Sequence, residues 1–185
     1  MKDKHTVRAL KAGFLGRAVY KIGEIDRRFK LIKKEGKILD LGCYPGSWVQ
    51  YLLRLNCNVY GIDLKNVKDL NFKFIKKDVL DNSIFDELDN DFDAVVSDLS
   101  PKITGIKELD NERSLELWYR ALKIAKKVLK PRGNFLVKVF DNPQLKKYVK
   151  DVEKEFSYVK VYKPKVSKKR SSEIYLIAKS KYERR

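Results

Sequence analysis

Apolar positions between about Arg8 and Lys34 recur at helical spacing, with Gly13, Gly16 and Gly23 as candidate breaks, and predict a helical lead-in. Beyond it, short apolar runs alternate with amphipathic stretches: KILDLG, SWVQYLLRL, NVYGIDL, FKFIKKDV and SIFDEL. Then come DAVVSDLS, the long NERSLELWYRALKIAKKVL closing at Lys130-Pro131-Arg132-Gly133, NFLVKVF, PQLKKYVKDVEKEF, YVKVYKP and EIYLIAKS. Strands separated by helical stretches predict an α/β domain with a mostly parallel, seven-stranded sheet and helices on both faces. Only the basic loop KPKVSKKRSS joins the last two runs. That is too short for a helical crossover, so the last strand is expected to be antiparallel. No internal repeat or low-complexity linker interrupts the pattern, and residues 1–185 read as one domain, with 1–7 and 181–185 loose.

Composition agrees: 185 residues with 43% hydrophobic content suffice for one substantial core. No run of about 18 apolar residues spans a bilayer, and the opening MKDKHTVRAL lacks an apolar segment behind its charges, so a cytoplasmic protein without a membrane role is expected. Cys43, Cys57 and the single His5 are a poor supply of metal ligands, and neither a metal nor a disulfide is expected. The charge changes the picture more. A net +17 draws polyanions and makes their binding salt-dependent, which puts RNA or another nucleic acid first among partners and leaves a monomer as the expected state. Lysine-rich solvated surface is the plainer explanation of the same number, and composition alone does not separate the two.

In an open parallel sheet, ligands bind beyond the carboxyl ends of the strands. Asp40 closes the first run, Asp63 the second, Asp78 the third and Asp98 the fourth, while Lys138 lies late in NFLVKVF. An aspartate after a parallel strand commonly caps a helix or starts a turn, so each alone fits a structural role. Their repetition at successive strands points to a ligand crevice. Lys138 is the stronger indication, because an ammonium among Phe135, Leu136, Val137, Val139 and Phe140 is costly to desolvate unless a carboxylate or ligand meets it. DLGCYPGSW joins the first strand to a helix, but Cys43-Tyr44 separates Gly42 from Pro45-Gly46, which departs from the G-x-G-x-x-G of dinucleotide sites. Close backbone approach at Gly42 and Gly46, with Asp63 to meet ribose hydroxyls, suits an adenosine ligand without a pyrophosphate, a description that S-adenosylmethionine fits.

With these residues in place, the chain resembles the FtsJ (RrmJ) family of S-adenosylmethionine-dependent RNA ribose 2′-O-methyltransferases. The likeness runs from about Arg17 to Ala178. It passes through Gly16-Arg17-Ala18-Val19 with YKIGEID directly after it, then ILDLGCYPGSWVQYL, VVSDLSP, GNFLVKVF and RSSEIYLIA. It implies a Rossmann-like methyltransferase fold and carries the family's catalytic set onto Lys21, Asp98, Lys138 and Glu173. It carries the cofactor contacts onto Gly46, Trp48, Asp63, Asp78 and Asp98, with Gly42 and Ser47 of the same turn added. Departures are visible: Gly16 stands where a serine is common, Ser47 where a second glycine is common, Cys43-Tyr44 where two small residues are common, and VVSDLSPKITG differs after its proline.

The implied reaction is methylation of a ribose 2′-hydroxyl, with Lys138 as general base and Lys21 either tuning it or stabilising the developing alkoxide. A uridine of large-subunit ribosomal RNA is the expected substrate, a transfer RNA anticodon loop its closest competitor. A non-catalytic RNA-binding ribosome-assembly factor is the reading from a different class. Arg17, Arg27, Arg28, Lys168, Lys169 and Arg170 are the candidate phosphate contacts.

Overall fold

Alternation along the first strand sets the layers. Ile38 faces one apolar cluster, and Leu39 and Leu41 face the other. A computed structural model describes residues 4–168 and 171–183. Its helices are α1 (Lys4–Lys11), α2 (Ala18–Phe29), α3 (Ser47–Arg54), α4 (Ile84–Glu87), α5 (Lys107–Val128) and α6 (Leu145–Glu153). Its strands are β1 (Lys37–Leu41), β2 (Asn58–Asp63), β3 (Lys73–Lys76), β4 (Phe92–Ser97), β5 (Leu129–Phe140), β6 (Phe156–Tyr162) and β7 (Glu173–Lys181). They form one seven-stranded sheet in the order β3-β2-β1-β4-β5-β7-β6.

Neighbouring strands pair in parallel from β3 across to β5, and β7 enters antiparallel to both β5 and β6. The final strand is therefore the reversed one, as the short basic loop before it requires. From β1 the chain winds outward to β2 and β3, then returns to β4 and winds the other way. The crevice beyond the carboxyl ends of β1 and β4 is thus the switch point where an open α/β sheet holds a ligand.

Two apolar layers flank the sheet. On one face Ile22 and Ile25 of α2 and Trp48, Val49 and Leu52 of α3 pack against Ile38, Val96, Leu136 and Ile177. On the other, Trp118, Ala121 and Ile124 of α5 and Tyr148 and Val152 of α6 cover Leu39, Val95, Val137 and Leu176. Among the described residues no helix is long and apolar enough to cross a membrane.

Three details differ from the expected pattern. The lead-in is two helices parted around Gly13 to Gly16, and Gly23 stays inside α2, where a Cβ would come within 3.2 Å of the Tyr51 ring. Glycine there serves close approach of α2 to α3 rather than a break. The Lys130-Pro131-Arg132-Gly133 stretch is not a turn between helix and strand but the start of β5. Its register against β4 jumps from Phe92↔Leu129 to Ala94↔Asn134, and Arg132 takes a positive φ of 61°. A proline without an amide proton and a left-handed residue are accommodated as a bulge instead of a break. Finally, α1 begins at Lys4 and β7 includes Lys181, so part of each end expected to be loose has regular structure.

Polar pins hold loops at both ends of the sheet. The Asp26 carboxylate accepts from Leu31 N, Ile32 N and the Tyr51 hydroxyl, tying the end of α2 to α3. Arg120, buried in α5, donates to the carbonyls of Val79 and Asp81 and to Asn82 Oδ1, and so fixes the segment that follows Asp78. Replacing it with methionine keeps most of the aliphatic bulk but leaves buried acceptors without donors. Arg120→Met is expected to lower stability by about 1–3 kcal/mol, seen as a lower urea midpoint with an unchanged slope; an unchanged midpoint would contradict this account.

Candidate active site

The crevice begins where β1 ends. Gly42 adopts φ 77°, and its N–H and that of Cys43 donate to the Ile62 carbonyl at 2.9 and 3.2 Å. A Cβ at Gly42 would come within 2.9 Å of the Leu99 side chain and 3.1 Å of its backbone, so only glycine lets the β1 turn approach the end of β4. Gly46 adopts φ 109°, and a Cβ there would meet Leu70, Val67 and Leu15 within 3.0 Å. Asp63, at the end of β2, accepts from Tyr44 N (3.0 Å) and Lys65 N (2.9 Å) and so braces the turn. Asp78 accepts from Leu80 N at 2.9 Å. Gly42, Asp63, Asp78, Asp98 and Leu99 line a cleft of about 380 Å³ over Leu117.

Beneath the turn lies Asp40, fully buried, with neither carboxylate oxygen hydrogen-bonded. Burial, then the charges of Asp98 and Asp63, push its carboxyl well above the ordinary range. The same surroundings push the Cys43 thiol up, so that it stays protonated. Asp40 is thereby held in its neutral form, while the carboxylates of Asp63 and Asp78 at the neighbouring strand ends meet backbone amides rather than cations. A cationic ligand complements these two carboxylates, and S-adenosylmethionine carries both an ammonium and a sulfonium. The glycine cradle, the cleft and the surplus of carboxylates fit that cofactor.

Beside the cleft, four elements distant in sequence bring together the expected set. Lys21 comes from the first turn of α2, Asp98 follows β4, Lys138 lies in β5 and Glu173 opens β7. Antiparallel pairing sets Lys138 opposite Tyr175 and Phe140 opposite Glu173. Lys21 forms an ion pair with Glu173. Lys138 Nζ donates to the Asp98 backbone carbonyl at 2.8 Å and lies 3.4 Å from Asp98 Oδ1. Both lysines are only 6% exposed, so neither is the surface lysine that sequence alone would allow. Burial raises the Glu173 carboxyl, but Lys21, then Lys138 and the Tyr175 hydroxyl, outweigh it and hold Glu173 below its usual value. The hydroxyl of buried Tyr175 lies 3.2 Å from both Asp98 Oδ1 and Glu173 Oε1.

Not every candidate reaches this crevice. Trp48 is 3% exposed, donates its indole N–H to the Ala18 carbonyl and packs on Tyr175 with ring centroids 5.9 Å apart. Its side chain packs behind Tyr175 and does not line the cleft. Ser47 Oγ is buried without a hydrogen-bond partner, at the point where a Cβ on Gly16 would meet it at 3.0 Å. The two departures from the family pattern thus face each other, the serine at 47 filling the space that glycine at 16 vacates. Arg17 stands at the start of α2. Arg27 and Arg28, exposed at the far end of that helix, lie about 9–10 Å along its axis from Lys21, and Arg28 stacks over Tyr162. Lys168 is exposed in the loop leading to Glu173, whereas Lys169 and Arg170 lie outside the described residues.

Asp40 was named among the strand-end acids but not among the cofactor contacts, and Tyr175 was not named. Asp40 was legible as a strand-end acid, and the missed signal was a carboxylate inside an apolar strand. Tyr175 carried the signal of standing two residues after Glu173, on the same strand face. A larger groove of about 1070 Å³ lies on the opposite layer, lined by Tyr119, Lys123 and Asp151 among others. None of the strand-end groups reaches it, so size alone does not locate the chemistry.

A family model described as FtsJ-like methyltransferase matches residues 14–181. A ribosomal RNA large subunit methyltransferase E from Desulfatibacillum aliphaticivorans is 40% identical, over 97% of this chain and 91% of its own length. One from Archaeoglobus fulgidus is 39% identical, over 97% of both. Among solved structures, one described as a ribosomal RNA methyltransferase from Plasmodium falciparum superposes with a TM-score of 0.81 at 29% identity, covering 92% of this chain and all of that one. A Streptococcus mutans protein described as a methyltransferase, in complex with SAH, shares the fold, with a TM-score of 0.58 at 14% identity over 89% of this chain and 95% of that one.

Asp40 supplies a test of the charge argument. Its folded pKa is raised, so the folded state holds the proton more tightly than the unfolded state between the two values. The associated stability is fully present below the unfolded value of about 3.9 and is lost as pH rises toward the folded value. At pH 7 the cofactor-free Asp40→Asn protein is therefore expected to melt higher than wild type, and at pH 3.5 the difference should vanish. Calorimetric titration should show weaker S-adenosylmethionine binding by the variant. Equal melting temperatures at pH 7 would remove the case for a buried, uncompensated carboxylate.

Proposed function

The chain belongs to the family of FtsJ-like methyltransferases, and from that premise we propose that it methylates a ribose 2′-hydroxyl of RNA, specifically a uridine of large-subunit ribosomal RNA. The observation that carries this reading is the recess itself: two buried lysines, each matched to a carboxylate, beside a cleft lined by the carboxylates of Asp63 and Asp78, which suit a sulfonium cofactor. The net charge of +17 suits a polyanionic substrate. Relatives named ribosomal RNA large subunit methyltransferase E, at 34–40% identity, favour ribosomal over transfer RNA.

S-adenosylmethionine, the family's methyl donor, supplies an electrophilic methyl group on sulfur when bound. Gly42, Asp63, Asp78 and Asp98 would hold it in the cleft, with Asp40 buried beneath the turn. The protein's own part is to move a proton and to hold an oxygen. Lys138, in its unprotonated form, takes the proton of the ribose 2′-hydroxyl as attack proceeds. Its Nζ is aimed by the Asp98 carbonyl and carboxylate. Lys21, ion-paired with Glu173, faces the oxygen as negative charge develops on it. Tyr175 holds the two acids in register from below. General-base help of this kind contributes about 10²- to 10⁴-fold, and orientation in the recess supplies much of the remainder. Arg17, at the start of α2, and Lys168, in the loop before Glu173, would meet substrate phosphates, and a steep salt dependence follows.

Lys138→Ala is expected to cut methyl transfer by at least about 10²-fold, while calorimetric S-adenosylmethionine affinity stays within about twofold. Mass-spectrometric mapping of ribosomal RNA from cells lacking the gene should show one 2′-O-methylated nucleotide lost. Wild-type protein inert on ribosomal RNA, ribosomal subunits and transfer RNA would end this reading. Retained activity in Lys138→Ala would remove the lysine from its role.

A further inference from the structure

The lysines of the site are recessed, at 6% exposure each. A ribose within a continuous base stack has its nucleotide held on both sides and cannot enter such a recess, so the acceptor nucleotide has to leave its stack. Something must then occupy the gap.

The loop after β4 supplies the matching groups. It leaves the cleft at Leu99, which abuts Gly42, and runs through Lys102-Ile103-Thr104-Gly105-Ile106 into Lys107. Ile103 is 65% and Ile106 59% exposed. Five residues past Asp98, the Ile103 backbone lies at most about 18 Å from it. The loop is also pre-set. Asp110 Oδ1 accepts from Thr104 N and Thr104 Oγ1, both at 2.8 Å, and Oδ2 accepts from Gly105 N at 3.1 Å. Ile106 N donates to Thr104 Oγ1 at 3.2 Å, and Arg113 donates to the Lys102 carbonyl at 3.3 Å. The amide and hydroxyl of Thr104 hold the Asp110 carboxyl below its usual range, consistent with a formed network. Two branched apolar side chains are thus held outward by a hydrogen-bonded loop beside the site, with exposed lysines on both sides. Apolar groups flanked by cations match bases flanked by phosphates.

We infer that Ile103 and Ile106 form an apolar wedge that enters the RNA base stack where the acceptor nucleotide has left it, with Lys102 and Lys107 on the adjoining phosphates. The inference rests on the RNA methyl-transfer reading above. The wedge makes the loop a determinant of which nucleotides are reached: those whose neighbours part easily are favoured, because unstacking is the uphill part of binding.

The test uses the full chain, S-adenosylmethionine and a ribosomal RNA fragment containing the mapped nucleotide, in two forms: intact, and with an abasic ribose next to the acceptor so that the stack is already open. Ile103→Ser/Ile106→Ser should slow methyl transfer about tenfold or more on the intact fragment and about twofold or less on the opened one. Ile103→Leu/Ile106→Leu should stay close to wild type on both. Equal rates for wild type and the serine variant on the intact fragment overturn the wedge. So does an equal loss on both fragments, which would mark a fold or cofactor defect, or a loss confined to assembled subunits, which would point to a protein partner. Wild type inactive on both fragments and on ribosomal subunits would instead count against the RNA-methylation reading.

Discussion

The constraint on which the site depends is a lysine carried on the inside face of an apolar strand. Lys138 sits between Val137 and Val139 in the centre of the sheet's second half, where an unpaired ammonium would be too costly to keep. Its acceptors come from the neighbouring strand end, at Asp98, and from nowhere nearer in sequence. Once Lys138 and Asp98 are paired, the register of β4 against β5 is fixed at that point. The antiparallel register of β7 then determines which acid stands beside them. Packing and chemistry are here the same set of contacts.

The cofactor side is built on the opposite imbalance. There the protein concentrates carboxylates and leaves Asp40 without a partner, while a few residues away lysines and acids are matched one to one. The site is therefore divided into a half that is electrostatically complete and a half that is not. Stability is given up at the incomplete half, and ligand binding is what restores it.

How far this was legible depends on whether a feature is local. Strand order of hydrophobicity, the acids at strand ends and the glycine turn are local, and Gly42, Asp63, Asp78 and Asp98 line one cleft in the structure. The reversed final strand followed from the length of one loop. The role of Trp48 as a prop under Tyr175 was not legible, because a tryptophan beside a ligand turn reads the same whether it faces the ligand or the core. The relation of Gly16 to Ser47 was hidden for a different reason: each looked like an isolated departure, and only their contact makes them one exchange. Pro131 and Arg132 marked the close of the long amphipathic run, and that they lie in the bulged start of β5 was not legible, because a bulge and a helix end favour the same residues.

The placement of β7 has a consequence of its own. The strand that runs last in the chain does not add to an edge but slots between β5 and β6, and it brings Glu173 and Tyr175 with it. During synthesis, earlier segments can associate in order as they emerge, yet the gap between β5 and β6 stays open until the final strand is available. Assembly of the lysine–carboxylate set is thus coupled to the arrival of β7, and a chain clipped before that strand would lack Glu173 and Tyr175.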